Sequence, residues 1–305
     1  MATIIQFIAS RKIRHDYGSN DRRRDAGQTT PPDVTRYDNI VYGKDTRFPK
    51  WQLLDVYRPK AAVEADGSLK LLPVIISVHG GAWVYGDKDK YQFYCMRLAQ
   101  RGFAVVNFSY RLAPEARFPA SVEDTEAVFQ WACDNAAQYG FDTSNFFAVG
   151  DSAGGHLLSL YVDALTNNEY RRNFPFIKEK PLNLRAVALN CGKYTLADKD
   201  ARFKLLLSGY MPQGGTEEEL KLLNTASHVT KAFPPVFLMT CEGDFLRKDS
   251  TLMKEALEAA GVSINFHCYG SPEKPLWHVF HCDPKLEEAR ICNDAECDFF
   301  RSYIK

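Results

Sequence analysis

Ser152 lies between two segments of different periodicity. Phe146-Phe147-Ala148-Val149 is a continuous apolar run of the kind that forms a buried strand, and His156-Leu157-Leu158-Ser159-Leu160 continues as a helix. The residues between, Gly150-Asp151-Ser152-Ala153-Gly154-Gly155, leave no space for a loop. The chain must therefore pass from strand to helix in one sharp turn with Ser152 at its tip. Small neighbours are needed there, and Gly150 and Gly154 let strand and helix approach closely. A Gly-x-Ser-x-Gly spacing arises by chance in about one chain in ten of this length. Its weight comes from its placement and from its partners.

The first partner lies upstream. Leu72–Val78 reads as a buried strand, and it runs directly into His79-Gly80-Gly81-Ala82-Trp83. A strand that ends in His-Gly-Gly resembles the oxyanion loop of esterases and lipases, just as the serine turn resembles the nucleophile elbow of α/β-hydrolases. Acyl transfer passes through a tetrahedral oxyanion that needs preorganised N–H donors. Gly80 and Gly81 are expected to supply two of them, and Ala153, next to the serine, the third. His79 is expected to brace the loop.

Around these motifs, strand-like and helical runs alternate. Strands are expected near 73–78, 103–109, 146–150, 185–190, 235–241 and 263–269, with helices near 91–101, 119–138, 152–166, 250–260 and 285–303. Such alternation implies βαβ units and an α/β fold with a mostly parallel, doubly wound sheet and helices on both faces. Two segments stand outside it. Residues 1–36 combine an apolar start with an arginine-rich stretch. They read as a solvated or mobile segment or, more sharply, as a cap that places Ile4, Ile5, Phe7 and Ile8 against the body; a dimer contact is the other use for such a segment. Residues 192–232 interrupt the late strands and are expected to form a cap insertion within a 37–305 hydrolase domain.

Composition narrows the chemistry. A formal net charge of zero gives no case for a nucleic-acid partner. No run of 18 apolar residues exists, so no membrane span is expected. The apolar start precedes its basic residues, the wrong order for a secretory signal, so a cytoplasmic location is expected. Eight cysteines are scattered without a C-x-x-C pair, and the histidines lack ligand spacing, so neither a disulfide framework nor a metal site is expected.

An activated serine needs a base, and the base an orienting acid. Asp244 follows the apolar run Pro235–Cys241, where a side chain faces the crevice at the strand end, and it is favoured over Glu242 and Asp249. Asp249 reads as a cap for the helix beginning at Ser250. Beyond the last strand, His278 is favoured over His281 as the base, and His267 reads as a structural strand residue.

Together, His79–Trp83, Gly150–Gly155, Asp244-Phe245-Leu246, His278-Val279-Phe280 and Tyr110-Arg111-Leu112-Ala113-Pro114-Glu115 resemble the hormone-sensitive-lipase family of esterases, the bacterial family IV group. The resemblance spans about residues 50–303. It implies an α/β-hydrolase core, a cap above the site, no cofactor, and hydrolysis of carboxylic esters with short acyl chains, acetyl to butyryl, through an acyl-enzyme. Two alternatives remain open. An arylformamidase shares the His-Gly-Gly-x-Trp loop, although its elbow more often reads Gly-His-Ser-Ala-Gly. A non-catalytic small-molecule binding protein of this fold would lack the histidine that His278 supplies here.

Overall fold

β-branched and aromatic apolar runs build eight strands: β1 (Val34–Val41), β2 (Leu53–Pro59), β3 (Leu72–Val78), β4 (Ala104–Phe108), β5 (Phe141–Asp151), β6 (Leu184–Asn190), β7 (Val236–Cys241) and β8 (Ile264–Tyr269). The computed structural model describes residues 3–178, 183–196 and 200–305. The strands form one sheet in the order β1-β2-β4-β3-β5-β6-β7-β8. β1 and β2 run antiparallel to their neighbours, and all other pairs are parallel. The expected α/β fold with a mostly parallel sheet is thus observed.

The period of two along each strand divides the core in two. Val74, Ile76, Ala148, Val187 and Leu238 face one cluster, built with α3 (Ala120–Asp134), α5 (Ala153–Thr166) and α9 (Arg247–Ala259). Ile75, Val105, Phe147, Ala188 and Phe237 face the other, built with α2 (Lys88–Ala99) and α10 (Glu287–Arg301). The central strands are buried on both faces, which is why they read as continuous apolar runs. α4 (Ala136–Tyr139) and α6 (Asn168–Arg171) are single turns after α3 and α5. After β3 the chain moves outward to β4 and then returns across β3 to form β5. The carboxyl ends of β3 and β5 therefore flank a crevice of the kind in which open α/β sheets bind ligands.

The first segment is a helix, α1 (Ile4–Asp25), opened by a capping box between Thr3 and Gln6 and closed by Arg22, Arg23 and Arg24 in its last turn. It corrects one expectation. Ile4, Ile5, Phe7 and Ile8 do not pack on the body; Ile4 stays 79% exposed, and the other three are exposed as well. The docked side is largely polar, because it meets backbone carbonyls at the crevice rim; Ile13 is its apolar contact with the core. Arg14 donates to Val84 O (2.8 Å) and Ala113 O (3.0 Å) and forms a bidentate pair with Glu115 at 2.7 Å. Tyr85 Oη donates to Asp21 Oδ2 at 2.6 Å, and Arg24 pairs with Asp21 and Asp25 while donating to Lys90 O. Within the late insertion, α7 (Ala201–Tyr210) and α8 (Glu217–Leu222) are the helices, and α7 packs against α1. Among the described residues, no helix is long and apolar enough to cross a membrane.

Candidate active site

β5 ends at Asp151, and Ser152 follows with φ 52° and ψ −118°, a strained conformation for a residue with a Cβ. The turn is over-determined from both sides. Ser152 N–H donates to Asn190 O on β6 at 3.0 Å, and Ser152 O accepts from Lys193 N at 3.1 Å. A Cβ at Gly154 would lie 2.0 Å from Val78 O, so only glycine lets the start of α5 cross the end of β3 at this distance. The turn thus lifts the serine hydroxyl into the crevice at the N-terminus of α5.

Two loops bring partners to it. Asp244 lies in the turn after β7, and His278 lies beyond β8 in a loop tied back by a bridge between Gly243 and Trp277. His278 Nδ1 donates to Asp244 Oδ1 at 2.8 Å, which leaves Nε2 to accept the Ser152 Oγ hydrogen at 2.9 Å. Burial would push the Asp244 carboxyl up, but hydrogen bonds from His278, Leu246 N and Thr240 Oγ1 outweigh it and hold the group below the usual carboxylate range. Ser152, His278 and Asp244 therefore form one hydrogen-bonded line. His281 does not join it. It is buried edge-on against Tyr94, where burial keeps it neutral, with a pKa of about 3. His267, in β8, is stacked on Phe237 of β7.

The oxyanion loop requires one correction. Gly80 N–H is already spent on Tyr91 Oη at 3.0 Å and does not point into the crevice as a free donor. Gly81, Ala82 and Ala153 N–H line the crevice without an intramolecular acceptor among the described residues. The glycine pair misled, because the loop turns one residue later than its composition suggests. Gly81 takes φ 119°, and Ala82 and Trp83 follow at φ 53° and 61°. A Cβ on Gly81 would sit 2.1 Å from Tyr85 O. His79 braces the loop as expected. It is stacked on Tyr110 with ring centroids 4.0 Å apart, and its Nδ1 donates to Gly80 O at 2.7 Å.

Three buried groups that sequence reasoning left without a role hold this frame. Tyr91 Oη donates to Asp151 Oδ2 at 2.6 Å while accepting from Gly80, and so ties the elbow to the oxyanion loop. Burial raises Asp151 to about 6. Glu296 of α10 accepts from Asn190 Nδ2 at 2.6 Å and from Tyr94 Oη at 3.1 Å; Asn190 is the residue whose carbonyl holds Ser152. Burial raises Glu296 to about 7. His156 accepts from Trp83 Nε1 at 3.3 Å and donates from Nε2 to Leu223 O at 3.0 Å, which links the oxyanion loop to the insertion. A glutamate on a mostly apolar helix face was the one signal in sequence that pointed to Glu296.

Asp249 is the second correction. It does not cap α9, which begins at Arg247. Its carboxylate accepts from Tyr194 N (3.1 Å), Thr195 N (3.0 Å) and Thr195 Oγ1 (2.9 Å) and pairs with Lys193 Nζ at 3.1 Å. It anchors the segment leaving β6 beneath the insertion. The resulting cavity, about 1150 Å³, opens over Ser152 and is walled by the C-terminal half of α1, the oxyanion loop, α7, and the loops carrying Asp244 and His278.

The BD-FAE family model matches residues 54–257, more than half of the chain, including Ser152, Asp244 and the His79–Trp83 loop but not His278. The chain belongs to this family. The versiconal hemiacetal acetate esterase of Dothistroma septosporum is 29% identical over 236 residues, covering 72% of this chain and 70% of that one. Esterase LipC of Mycobacterium tuberculosis is 33% identical over 209 residues, 66% of this chain but 49% of its own length. The chain thus spans about half of that relative. In three dimensions, a tributyrin phosphonate-inhibited esterase B from Lactobacillus rhamnosis superposes with a TM-score of 0.88 at 26% identity, over 99% of this chain and 96% of that one. These matches bear out the resemblance to the hormone-sensitive-lipase esterases, and with it an α/β-hydrolase that acts on carboxylic esters. They give no support to an arylformamidase or to a binding protein.

Proposed function

We propose that the chain is a serine esterase in which Ser152 attacks the ester carbonyl, His278 takes and then returns the proton, and Asp244 orients and stabilises the imidazolium. The observation that carries this reading is the line from Ser152 Oγ to His278 Nε2 (2.9 Å) and from His278 Nδ1 to Asp244 (2.8 Å). The oxyanion is held by Gly81 and Ala153 N–H, with Ala82 N–H beside them in place of Gly80. Acylation breaks the bond to the alcohol oxygen, which leaves with the proton from His278; water, deprotonated by the same imidazole, then releases the acid. The phosphonate-inhibited esterase B neighbour supports a serine route, because phosphonates react with activated hydroxyls. Acyl groups from acetyl to butyryl are the expected substrates. Helix α1, within the 1–36 segment, and the 192–232 insertion act together as a cap, an assignment supported by the packing of α1 on α7 over the crevice; residues 34–36 instead belong to β1.

The test is labelling with a butyl phosphonate followed by peptide mass analysis, together with esters of acetate, butyrate and octanoate. The adduct is expected on Ser152. Ser152→Ala should lose about 10³-fold or more in kcat. His278→Ala should match it, and His281→Ala should not. Label on another residue, or normal turnover in Ser152→Ala, overturns the reading.

A further inference from the structure

Large apolar side chains left in water contribute nothing to folding, and when they gather at a cavity they mark what the cavity binds. Among the described residues four aromatic side chains are exposed: Phe7, Tyr17, Phe245 and Trp277. Three of the four, Tyr17, Phe245 and Trp277, line the same cavity above Ser152, so they belong to the site and not to a scattered surface. Two of these flank the histidine. Phe245 follows Asp244 directly and is 71% exposed, with its ring centroid 4.4 Å from that of His278. Trp277 immediately precedes His278 and is 52% exposed. The loops that carry them are held: Leu246 N–H donates to the Asp244 carboxylate, and Trp277 is bridged through its backbone to Gly243. The two rings are therefore presented at the mouth by ordered loops.

Their place beside His278 identifies the part of the substrate they meet. When the tetrahedral intermediate collapses, the bond between the acyl carbon and the alcohol oxygen breaks. The oxygen keeps the electron pair and takes the proton from His278 Nε2, while the acyl group stays on Ser152 Oγ. The alcohol oxygen must consequently lie within hydrogen-bond reach of Nε2, and the rest of the alcohol extends over whatever surrounds the histidine on its open side. Here that surface is aromatic. Aromatic side chains favour a planar π partner in offset or edge geometry over an aliphatic group of similar area.

We propose that Phe245 and Trp277 form a leaving-group subsite for an aromatic alcohol, so that the preferred esters are those of aryl or arylmethyl alcohols. This rests on the assignment of His278 as the proton donor in the proposed esterase mechanism. Tyr17, 39% exposed on α1, lines the same cavity.

The experiment compares benzyl acetate with cyclohexylmethyl acetate. Both share one acyl group and form the same acyl-enzyme, their leaving alcohols are of similar size, and only one is aromatic. The wild-type chain is expected to favour the benzyl ester in kcat/KM by about 3- to 10-fold per aromatic contact. In Phe245→Leu and Trp277→Leu, which keep apolar bulk, the benzyl-to-cyclohexylmethyl ratio should fall by that factor, and in the double variant it should approach one. Labelling of Ser152 by a fluorophosphonate is measured in parallel on each protein, and it reports a folded, activated site independently of the alcohol. A wild-type ratio near one, or a ratio retained in the double variant, overturns the aromatic subsite while leaving the esterase standing. Failure to hydrolyse either ester without Ser152 labelling overturns the esterase reading and the subsite with it.

Discussion

Tyr91 Oη stands 2.6 Å from Asp151 Oδ2, and the same oxygen accepts the Gly80 N–H at 3.0 Å. One phenol on α2 thus joins the residue before the proposed nucleophile, Ser152, to the residue before the first proposed oxyanion donor, Gly81. The spacing between Ser152 and the Gly81 and Ala82 N–H groups depends on that bridge. Tyr91→Phe should leave Gly80 N–H and the Asp151 carboxyl buried without this partner and let the loop drift from the elbow. Misplaced oxyanion donors are expected to lower kcat by about 10- to 100-fold with little change in KM. Affinity for a trifluoromethyl ketone, which mimics the tetrahedral state, should fall by the same factor. A loss of Tm with unchanged kcat well below the transition would show that the bridge serves folding alone.

Asp249 gives a prediction about stability. Its carboxylate gathers two backbone N–H groups, a threonine hydroxyl and Lys193 beneath the insertion. Asp249→Ala leaves buried donors without this acceptor and should cost about 2–4 kcal/mol. Asp249→Asn keeps one acceptor oxygen and should cost less. Chemical denaturation of the three proteins checks the order, and an alanine variant as stable as the wild type would remove Asp249 as an anchor.

How much of this could be read in the sequence follows from how local each signal is. The elbow was legible because strand, turn, glycines and helix are contiguous from Phe146 to Leu160. Asp244 and His278 were legible because each follows an apolar strand at its carboxyl end. The structure brings His278 within hydrogen-bond distance of Ser152 and Asp244 within hydrogen-bond distance of His278. Gly80 was misread because a Gly-Gly pair does not disclose which amide another residue has taken, and Tyr91 lies on a separate helix. Asp249 was misread because a carboxylate before a helix looks the same whether it caps that helix or holds a loop 55 residues away in sequence. Glu296 and His156 act over still longer separations, which periodicity does not encode. The apolar start of α1 was read as a docking face, but its residues cluster at one end instead of repeating along the helix, and the docking side proved to be Arg14, Asp21 and Arg24.

Glu296 predicts a pH dependence of stability. Burial raises its pKa from 4.5 to about 7, so the folded chain binds a proton there that the unfolded chain has lost over much of that interval. Its favourable contribution is present below about pH 4.5, declines as pH rises, and is gone above about 7. Glu296→Gln cannot ionise and keeps one acceptor oxygen for Asn190, with its NH2 left to face Tyr94 Oη, which can accept. The variant should gain on the wild type as pH rises from 5 to 8, by about 2–3 kcal/mol at most. Parallel unfolding curves at pH 5, 6.5 and 8 test this. A constant difference between the two proteins across the three values would show that Glu296 does not titrate in that window.

α1 supplies one wall of the cavity through Tyr17, Asn20, Asp21, Arg23 and Arg24, and it is held there by Arg14 and by the Tyr85–Asp21 bond. Its hydrogen bonds and ion pairs lie at the rim and Ile13 packs against one apolar cluster, while the fully buried members of both clusters come from other elements. Removing residues 1–27 should therefore leave a folded sheet with a cavity open on one side. Water then enters beside the acyl-enzyme, and longer chains lose their steric limit. The ratio of kcat/KM for octanoate to that for acetate is expected to rise by about threefold or more in the truncated chain. Arg14→Ala, which breaks the bidentate pair with Glu115 and two carbonyl contacts, should shift the ratio in the same direction by less. Circular dichroism establishes whether the truncated chain is folded, and the point variant carries the test if it is not. An unchanged ratio in both proteins would show that α1 covers the crevice without shaping what enters it.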